Sequence, residues 1–166
     1  MYPKSPFFTL DSHYQRLLYE SSRKPSKVFI ASFGLNVGLY DKGSGEFYST
    51  QSLTRKFLDS LRGIEVDLLI GFPAQRKGES YDTFSRRRAM FKKAMGNWPE
   101  FNWRISDESH LKCVGFERKD SPYCVIAGGR NLTDSGFSDI SLVVPKRQRV
   151  PIKKHFYKLF KQAKKM

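Results

Sequence analysis

Cysteine is scarce in this sequence, and so are the patterns that would tie the chain to a metal or a membrane. Its 166 residues include two cysteines, Cys113 and Cys124. Neither belongs to a CxxC motif or to a Cys/His cluster with metal-ligand spacing. No apolar run reaches the roughly 18 residues that span a bilayer. The sequence therefore predicts no metal site, no cofactor and no integral membrane association.

The two cysteines also bear on the cellular compartment. Each lies within an apolar run, which is typical of buried free thiols in a reducing environment. A disulfide stays open as an alternative if a hairpin sets the two side by side. Residues 1–15 contain no apolar stretch of signal-peptide length, so we expect a cytoplasmic protein.

Acidic residues are few relative to basic ones. Sixteen Asp and Glu face 30 Lys and Arg, which gives a formal net charge of +14 and an isoelectric point near 9.9. Such a field attracts polyanions, nucleic acid first and anionic lipid surfaces second. Charge alone does not choose between these partners, and local patterns have to decide.

Apolar and aromatic residues are plentiful by contrast. Hydrophobic residues make up 39% of the chain and include 14 Phe, which excludes a disordered basic tail and indicates a single folded domain. Apolar runs alternate with segments of helical spacing. Strands are predicted from Lys27 and over 65–72, 102–106 and 140–144. Helices are predicted over 9–22, from Ser49 or Thr50 to about Leu61, and over 81–95. Strand, helix, strand in this order predicts a parallel pair, and hence an α/β fold with a mixed sheet flanked by helices.

The segment 109–131, SHLKCVGFERKDSPYCVIAGGRN, carries the most informative pattern. Two apolar runs flank a polar turn, which predicts an antiparallel hairpin. Alternate residues of a strand share a face, so we expect His110 and Lys112 to point the same way. The hairpin then returns Gly128 to Asn131 to the end at which His110 lies.

This pattern resembles the HKD motif of the phospholipase D superfamily. The match consists of His110-Leu-Lys112 and Gly128-Gly129-Arg130-Asn131, and the likeness in element order covers roughly residues 27–144. The resemblance implies a phospholipase D-like mixed sheet in one catalytic domain, placed at residues 1–145. It is greatest for the nuclease branch, which includes the catalytic domains of metal-independent restriction endonucleases.

The resemblance also implies a reaction. An imidazole is a competent nucleophile toward phosphorus, and a phosphohistidine at His110 divides the hydrolysis into two displacements. Lys112 and Asn131 would stabilise the charge on the phosphoryl oxygens. Because the chain holds a single motif, the second imidazole is expected from a homodimer partner. His13 and His155, the other two histidines, are interpreted as ordinary surface or packing residues in helices far from the hairpin. The implied function is a metal-independent nuclease, with DNA preferred to RNA as the substrate.

Three departures from the family pattern keep other functions open. Gly129 replaces the usual serine, Glu117 stands where an aspartate is usual, and the acidic residue that supports the histidine falls near Ser141, with Asp139 as the nearest carboxylate. A nucleic-acid-binding protein with weakened catalysis is therefore the alternative function. A phospholipid-acting phosphodiesterase is the third, supported by a basic amphipathic helix near the end of the sequence.

That helix is predicted over 153–165, within a segment, 146–166, that follows the catalytic domain and contains no acidic residue. It either packs on the sheet with a solvated outer face or adds contacts to nucleic acid or lipid. The predicted substrate-binding residues are Gly128, Gly129, Arg130, Arg86, Arg87, Lys153 and Lys154. For Arg86 and Arg87, in the helix over 81–95, an ordinary solvated helix face is the alternative interpretation.

Overall fold

The computed structural model describes residues 7–8, 10–32, 39–40, 47–48, 53–71, 77–106, 109–128 and 141–165. Within these ranges the chain forms four helices, α1 (Leu10–Ser22), α2 (Leu53–Ser60), α3 (Tyr81–Met95) and α4 (Lys146–Gln162). The strands of the same ranges are β1 (Phe7–Phe8), β2 (Lys27–Ser32), β3 (Leu39–Tyr40), β4 (Phe47–Tyr48), β5 (Glu65–Ile70), β6 (Asn102–Ile105), β7 (Cys113–Arg118), β8 (Ser121–Gly128) and β9 (Ser141–Val143).

Seven of these strands form one mixed sheet in the order β1-β9-β8-β7-β2-β5-β6. The strands β2, β5 and β6 are parallel, and all the other neighbours in this sheet are antiparallel. The strands β3 and β4 pair separately. The predicted parallel pair is β2 and β5, with α2 between them in the chain, so the predicted α/β fold with a mixed sheet is confirmed.

The sheet has two ends that differ in what they carry. Because β2 and β7 are antiparallel, Ala31 lies opposite Cys113 and Lys27 lies opposite Glu117. We call the end at which β2, β5 and β6 finish and β7 begins the upper end, and the opposite one the lower end. The predicted hairpin is β7 and β8, whose turn lies at the lower end. Gly128 finishes β8 at the upper end.

Helices cover both faces of the sheet. On one face, residues such as Ile30, Leu68 and Val114 pack against α1, α2 and α3. On the other, Phe29 packs against Phe156 and other residues of α4. Apolar side chains at successive positions of a strand therefore face buried layers on both sides, which explains the continuous apolar run of β2.

The structure corrects the bounds predicted for the last helix. This helix begins at Lys146, seven residues before the predicted start, and it contains Pro151. Proline lacks the N–H that would bond four residues back, but Arg149 holds the start of the helix by donating to the carbonyl oxygens of Val144, at 3.0 Å, and Tyr123, at 2.6 Å. The helix ends at Gln162 because the backbone of Lys164 pairs with Ile105.

The contact between β2 and β7 depends on a glycine. Gly115 lies opposite Phe29, and a Cβ atom built on Gly115 would overlap the Phe29 ring. The ring, which is fully buried, therefore occupies the space that any other residue at position 115 would need. This close approach fixes the middle of the sheet.

We predict that Gly115→Val destabilises the protein by about 1–3 kcal/mol or more, because the added side chain displaces a fully packed ring. Urea denaturation of the wild type, Gly115→Val, Phe29→Ala and the double variant measures the effect. Removal of the ring opens the space, so the double variant should lose less stability than the sum of the single losses. Additive losses would show that the two residues do not compete for the same space.

Both cysteines are buried and free, as the sequence predicts. Cys113 belongs to the α4 face and Cys124 to the face covered by three helices, so the alternative of a disulfide between them is wrong. Burial raises the pKa of Cys113 to about 12. Burial, as the largest cause, and the charge of Glu20, as the next, raise the pKa of Cys124 to about 11. Both thiols are therefore neutral at physiological pH.

We predict that neither thiol reacts readily with DTNB in the native protein. A thiol with a pKa of about 12 has roughly a thousandth of the thiolate of one at the ordinary value, and a pKa of about 11 leaves roughly a hundredth. Absorbance should therefore rise slowly in buffer and correspond to two thiols per chain in denaturant. A fast stoichiometric reaction of the native protein would contradict the burial of that cysteine.

Candidate functional site

A short irregular segment before β7 carries the first half of the HKD-like pattern at the upper end of the sheet. The Ser106 N–H donates to the Ile70 carbonyl oxygen at 2.9 Å, and the Ser109 N–H donates to the Ser106 hydroxyl at 3.1 Å. Ser109 is buried, and its own hydroxyl oxygen lies 3.4 Å from the Leu111 N–H. These bonds anchor the segment on the carboxyl end of β5.

His110 and Lys112 differ in exposure within this segment. His110 is exposed and Lys112 is half-buried, and the Lys112 ammonium lies 3.4 Å from the His110 carbonyl oxygen. Regular strand structure begins only at Cys113, so strand alternation does not by itself fix the direction of His110. That the two side chains share one face remains a prediction.

The hairpin brings the start of the second half of the pattern to this place. The Gly128 N–H donates to the Lys112 carbonyl oxygen at 3.3 Å, and Gly128 lies opposite Ser141 of β9. Ser141 is buried, and the resemblance puts an acidic residue near its position. Lys112, Gly128 and Ser141 all line one small cavity of about 10 Å³, which has space for a single water molecule at most.

His13 of α1 lines the same cavity, and sequence reasoning missed it. The sequence interpretation placed His13 far from the hairpin as an ordinary surface or packing residue, but its side chain is buried beside Lys112 and Ser141. A signal was available, because His13 precedes the buried Leu17 by four residues and so lies on the apolar stripe of its helix. A second imidazole therefore lies within the candidate site of one chain.

Four predicted site residues fall outside the described part of the chain. These are Gly129, Arg130, Asn131 and Asp139. Their expected roles, as the amide donor, the neighbouring backbone and the supporting carboxylate, stay predictions. Gly128 is the member of the second half whose position is given.

Arg86 and Arg87 lie near the middle of α3, on the three-helix face. Arg87 makes a bidentate ion pair with Glu79, at 3.1 and 3.0 Å, which holds its guanidinium against the start of the helix. Arg86 is exposed. Phe91 and Met95 of the same helix are buried in the core. A role for the two arginines in substrate binding stays a prediction.

Lys153 and Lys154 lie at the lower end of the sheet, away from His110 and Lys112. The Lys153 ammonium makes an ion pair with the buried Glu117 and donates to the Asp120 carbonyl oxygen at 2.6 Å. Glu117 is five residues beyond Lys112 along β7, a separation of about 17 Å in a strand. The exposed Lys154 follows Lys153 on the same helix. The structure therefore does not bring Lys153 and Lys154 together with the candidate site.

Among the described residues, no three His, Cys, Asp or Glu side chains are placed to hold a metal ion together. In the same ranges, no helix is both long and apolar enough to cross a bilayer.

The fold matches known structures although the sequence does not match known families. No protein-family model and no curated protein matches the chain. NucT from Helicobacter pylori is similar over 96% of this chain and 97% of its own, with a TM-score of 0.59 and 13% identity. Nuc from Salmonella typhimurium, a phospholipase D family member, is similar over 95% of this chain and 93% of its own, with a TM-score of 0.56 and 10% identity.

The archaeal chromatin protein TrmBL2, whose structure is described as showing a novel mode of DNA binding, is also similar. Its TM-score is 0.54 at 11% identity. The similarity covers 99% of this chain and 55% of TrmBL2, so the chain spans about half the length of TrmBL2. At these identities the similarity defines the fold and leaves the activity open. The chain has a phospholipase D-like fold, as the resemblance in the HKD-like segment implied.

The burial of His13 generates a stability prediction with a matched control. We expect His13→Ala to lower the free energy of unfolding by about 1–3 kcal/mol, because a packed ring is lost from between α1 and the sheet. His155→Ala removes an exposed ring from α4 and should change it by less than about 0.5 kcal/mol. Urea denaturation measures both, and equal losses would contradict the burial of His13.

Proposed function

We propose that the chain is a metal-independent phosphodiesterase that cleaves nucleic acid, with DNA as the preferred substrate. The observation that carries this proposal is the hydrogen bond from Gly128 to Lys112, since it joins the two halves of an HKD-like pattern at one end of a phospholipase D-like sheet. The net charge of +14 supports a polyanionic substrate. Two proteins of similar fold, NucT and Nuc, carry names that denote nucleases.

The proposed reaction has two displacements. In the first, a ring nitrogen of His110 attacks phosphorus, a P–N bond forms, and the P–O bond to the leaving strand breaks. An imidazolium donates its proton to the departing oxygen. In the second, that imidazole accepts a proton from water, the hydroxide attacks phosphorus, and the P–N bond breaks. Lys112 and Asn131 stabilise the charge on the non-bridging oxygens in both steps.

The imidazole that transfers the proton is assigned to the partner subunit's His110. A two-fold axis beside the exposed His110 would bring two equivalent segments together and form a complete site from one motif per chain. Exposure of His110 in the single chain is compatible with such an interface. Asp139, near Ser141 in the sequence, is proposed to support the nucleophile.

A nucleic-acid-binding protein without turnover is the second candidate function. Two observations favour it: Ser141 lies near the position where the family pattern has an acidic residue, and the similar TrmBL2 is described as a DNA-binding chromatin protein. This candidate would be supported over the nuclease if the wild type binds DNA without cleaving it and His110→Ala leaves that binding unchanged.

The phospholipid-acting alternative loses its main support in the structure. The apolar side of α4 was the reason to consider a lipid substrate, and Phe156 and Phe160 on that side are buried against the sheet. An interfacial helix needs its apolar face free to enter the membrane. We therefore rank lipid last among the candidate substrates.

The nuclease proposal predicts cleavage of labelled DNA in EDTA that depends on His110. We expect His110→Ala to lower the rate by roughly a thousandfold or more, because the nucleophile is removed. The matched control His155→Ala replaces an exposed histidine of α4 and should cleave at the wild-type rate. Cleavage is measured on sequencing gels.

A covalent adduct tests the mechanism separately. Quenching the wild type with SDS at alkaline pH during turnover of DNA with a radioactive phosphodiester should leave label on the protein, because a P–N bond to histidine is stable in alkali and labile in acid, and His110→Ala should carry none. Size-exclusion chromatography with light scattering should give twice the monomer mass of 19.3 kDa. Cleavage that appears only on addition of Mg²⁺, or that survives in His110→Ala, would rule out the proposed mechanism.

A further inference from the structure

A basic groove lies beside α4, which crosses one face of the sheet from the lower end of β7, where Lys153 meets Glu117, to the upper end of β6, where Lys164 pairs with Ile105. It has a volume of about 700 Å³ and runs between α4 and the turn that joins β7 to β8. Lys153, Lys154, Lys158 and Lys161 line it, and Asp120 is the acidic residue in its wall. The groove is therefore strongly positive, and it does not share residues with the cavity beside Lys112.

The inner side of α4 is fixed by bonds to the sheet. Lys153 is paired with Glu117, and the Tyr157 hydroxyl donates to the Asp67 carboxylate at 2.9 Å. Lys27 makes a second bond to that carboxylate, at 2.7 Å. Burial lowers the pKa of Lys27, but its hydrogen bonds to Asp67 and Glu65 outweigh burial and raise the pKa overall. These bonds fix the rotation of α4 about its own axis.

The outer side of α4 is a row of exposed basic residues. We call Arg147, Lys154, Lys158 and Lys161 the outer stripe, since their spacings of seven, four and three residues place them on one side of a helix. In an α-helix the stripe is about 21 Å long. Among the described residues, no carboxylate makes an ion pair with Lys154, Lys158 or Lys161.

This arrangement favours a polyanion over a membrane as the partner. Lys154 and Lys158 stand four residues apart on a helix, where like charges repel, so a bound phosphate chain relieves a repulsion already present in the free protein. In length the stripe matches about six base pairs of B-DNA along the helix axis, at about 3.4 Å of axis per phosphate of one strand. Large apolar side chains that could enter a bilayer are nearly absent around it, with Val150 the exposed one described on α4.

We infer that the outer stripe is a second nucleic-acid-binding surface, which holds the phosphate backbone along the outer side of α4, apart from the site of cleavage. The inference rests on the proposed function in taking nucleic acid as the partner. Phosphate contacts carry no sequence information, so binding here is independent of sequence. The stripe increases the affinity for long substrates and leaves the chemical step unchanged.

The test compares two double variants that remove the same charge. Lys158→Gln with Lys161→Gln changes the stripe, whereas Lys24→Gln with Lys56→Gln changes two exposed lysines outside the groove and the candidate site. Both are made in a His110→Ala background, so that DNA stays intact. Fluorescence anisotropy of a labelled DNA duplex over a range of NaCl concentrations gives the affinity and its salt dependence.

We expect the stripe variant to bind DNA more weakly and to reduce the slope of log K against log salt concentration by about 1.8, the value for two lost phosphate contacts at 0.9 each. The control variant should keep the slope within error. Equal weakening in both variants would assign the effect to net charge and overturn the inference. So would loss of binding to phosphatidylserine vesicles in the stripe variant with unchanged DNA binding.

A small substrate separates this inference from the proposed function. With His110 intact, the stripe variant should hydrolyse bis(p-nitrophenyl) phosphate in EDTA as fast as the wild type, because that diester is too short to reach from the candidate site to the outer side of α4. No hydrolysis by the wild type would contradict the proposed function, and stripe-dependent DNA binding would still support the second surface. Slower hydrolysis in the stripe variant would show that the stripe belongs to the reaction site and overturn their separation.

Discussion

The antiparallel pairing of β2 with β7 is the constraint on which both ends of the molecule depend. It joins a parallel half of the sheet, β2, β5 and β6, to an antiparallel half, β7, β8 and β9. Since β7 starts where β2 finishes, the segment with His110 and Lys112 lies beside the carboxyl ends of the parallel strands. Ligand sites of open α/β sheets are found at such ends. The packing of Phe29 on Gly115 holds this pairing in the core.

The pairing also determines which basic residues are available to a ligand. A net charge of +14 describes the whole chain, but several cations are bound to carboxylates within the fold. Lys27 and Lys153 neutralise buried acids at the lower end, and Arg87 is held by Glu79. Lys154 and Lys158 face solvent on α4. The distribution of ion pairs, more than the total charge, therefore defines the basic surface.

Much of the fold could be predicted because strong local patterns determine it. The apolar run of β2 and the four-residue spacing of Leu53, Phe57 and Leu61 led to the correct elements, and helix α3 was predicted with its observed bounds. These segments are buried, so their sequences carry the period of the structure. The hairpin followed from the polar turn between two apolar runs.

Other features could not be predicted because they depend on distant contacts. The start of α4 was missed, since a proline inside the helix is a local signal against helix and the bonds of Arg149 to Val144 and Tyr123 are not visible in the sequence. His13 was placed wrongly because the packing of α1 against the upper end of the sheet is a tertiary fact. Lys153 was predicted to bind substrate because of its charge. Its ion pair with Glu117 could not be predicted, since Glu117 lies 36 residues away in the sequence.

The backbone pairing of Lys164 with Ile105 has a consequence for how two copies of the chain can associate. β6 is the outermost strand of the sheet, and a strand in that place offers unpaired N–H and C=O groups to another chain. Here the residues after α4 fold back, and Ile105 exchanges two hydrogen bonds with Lys164, at 2.9 and 3.0 Å. At Ile105 the position of an added strand is already filled from within the molecule. A second copy of the chain therefore cannot extend the sheet at Ile105, because the residues after α4 already occupy that place.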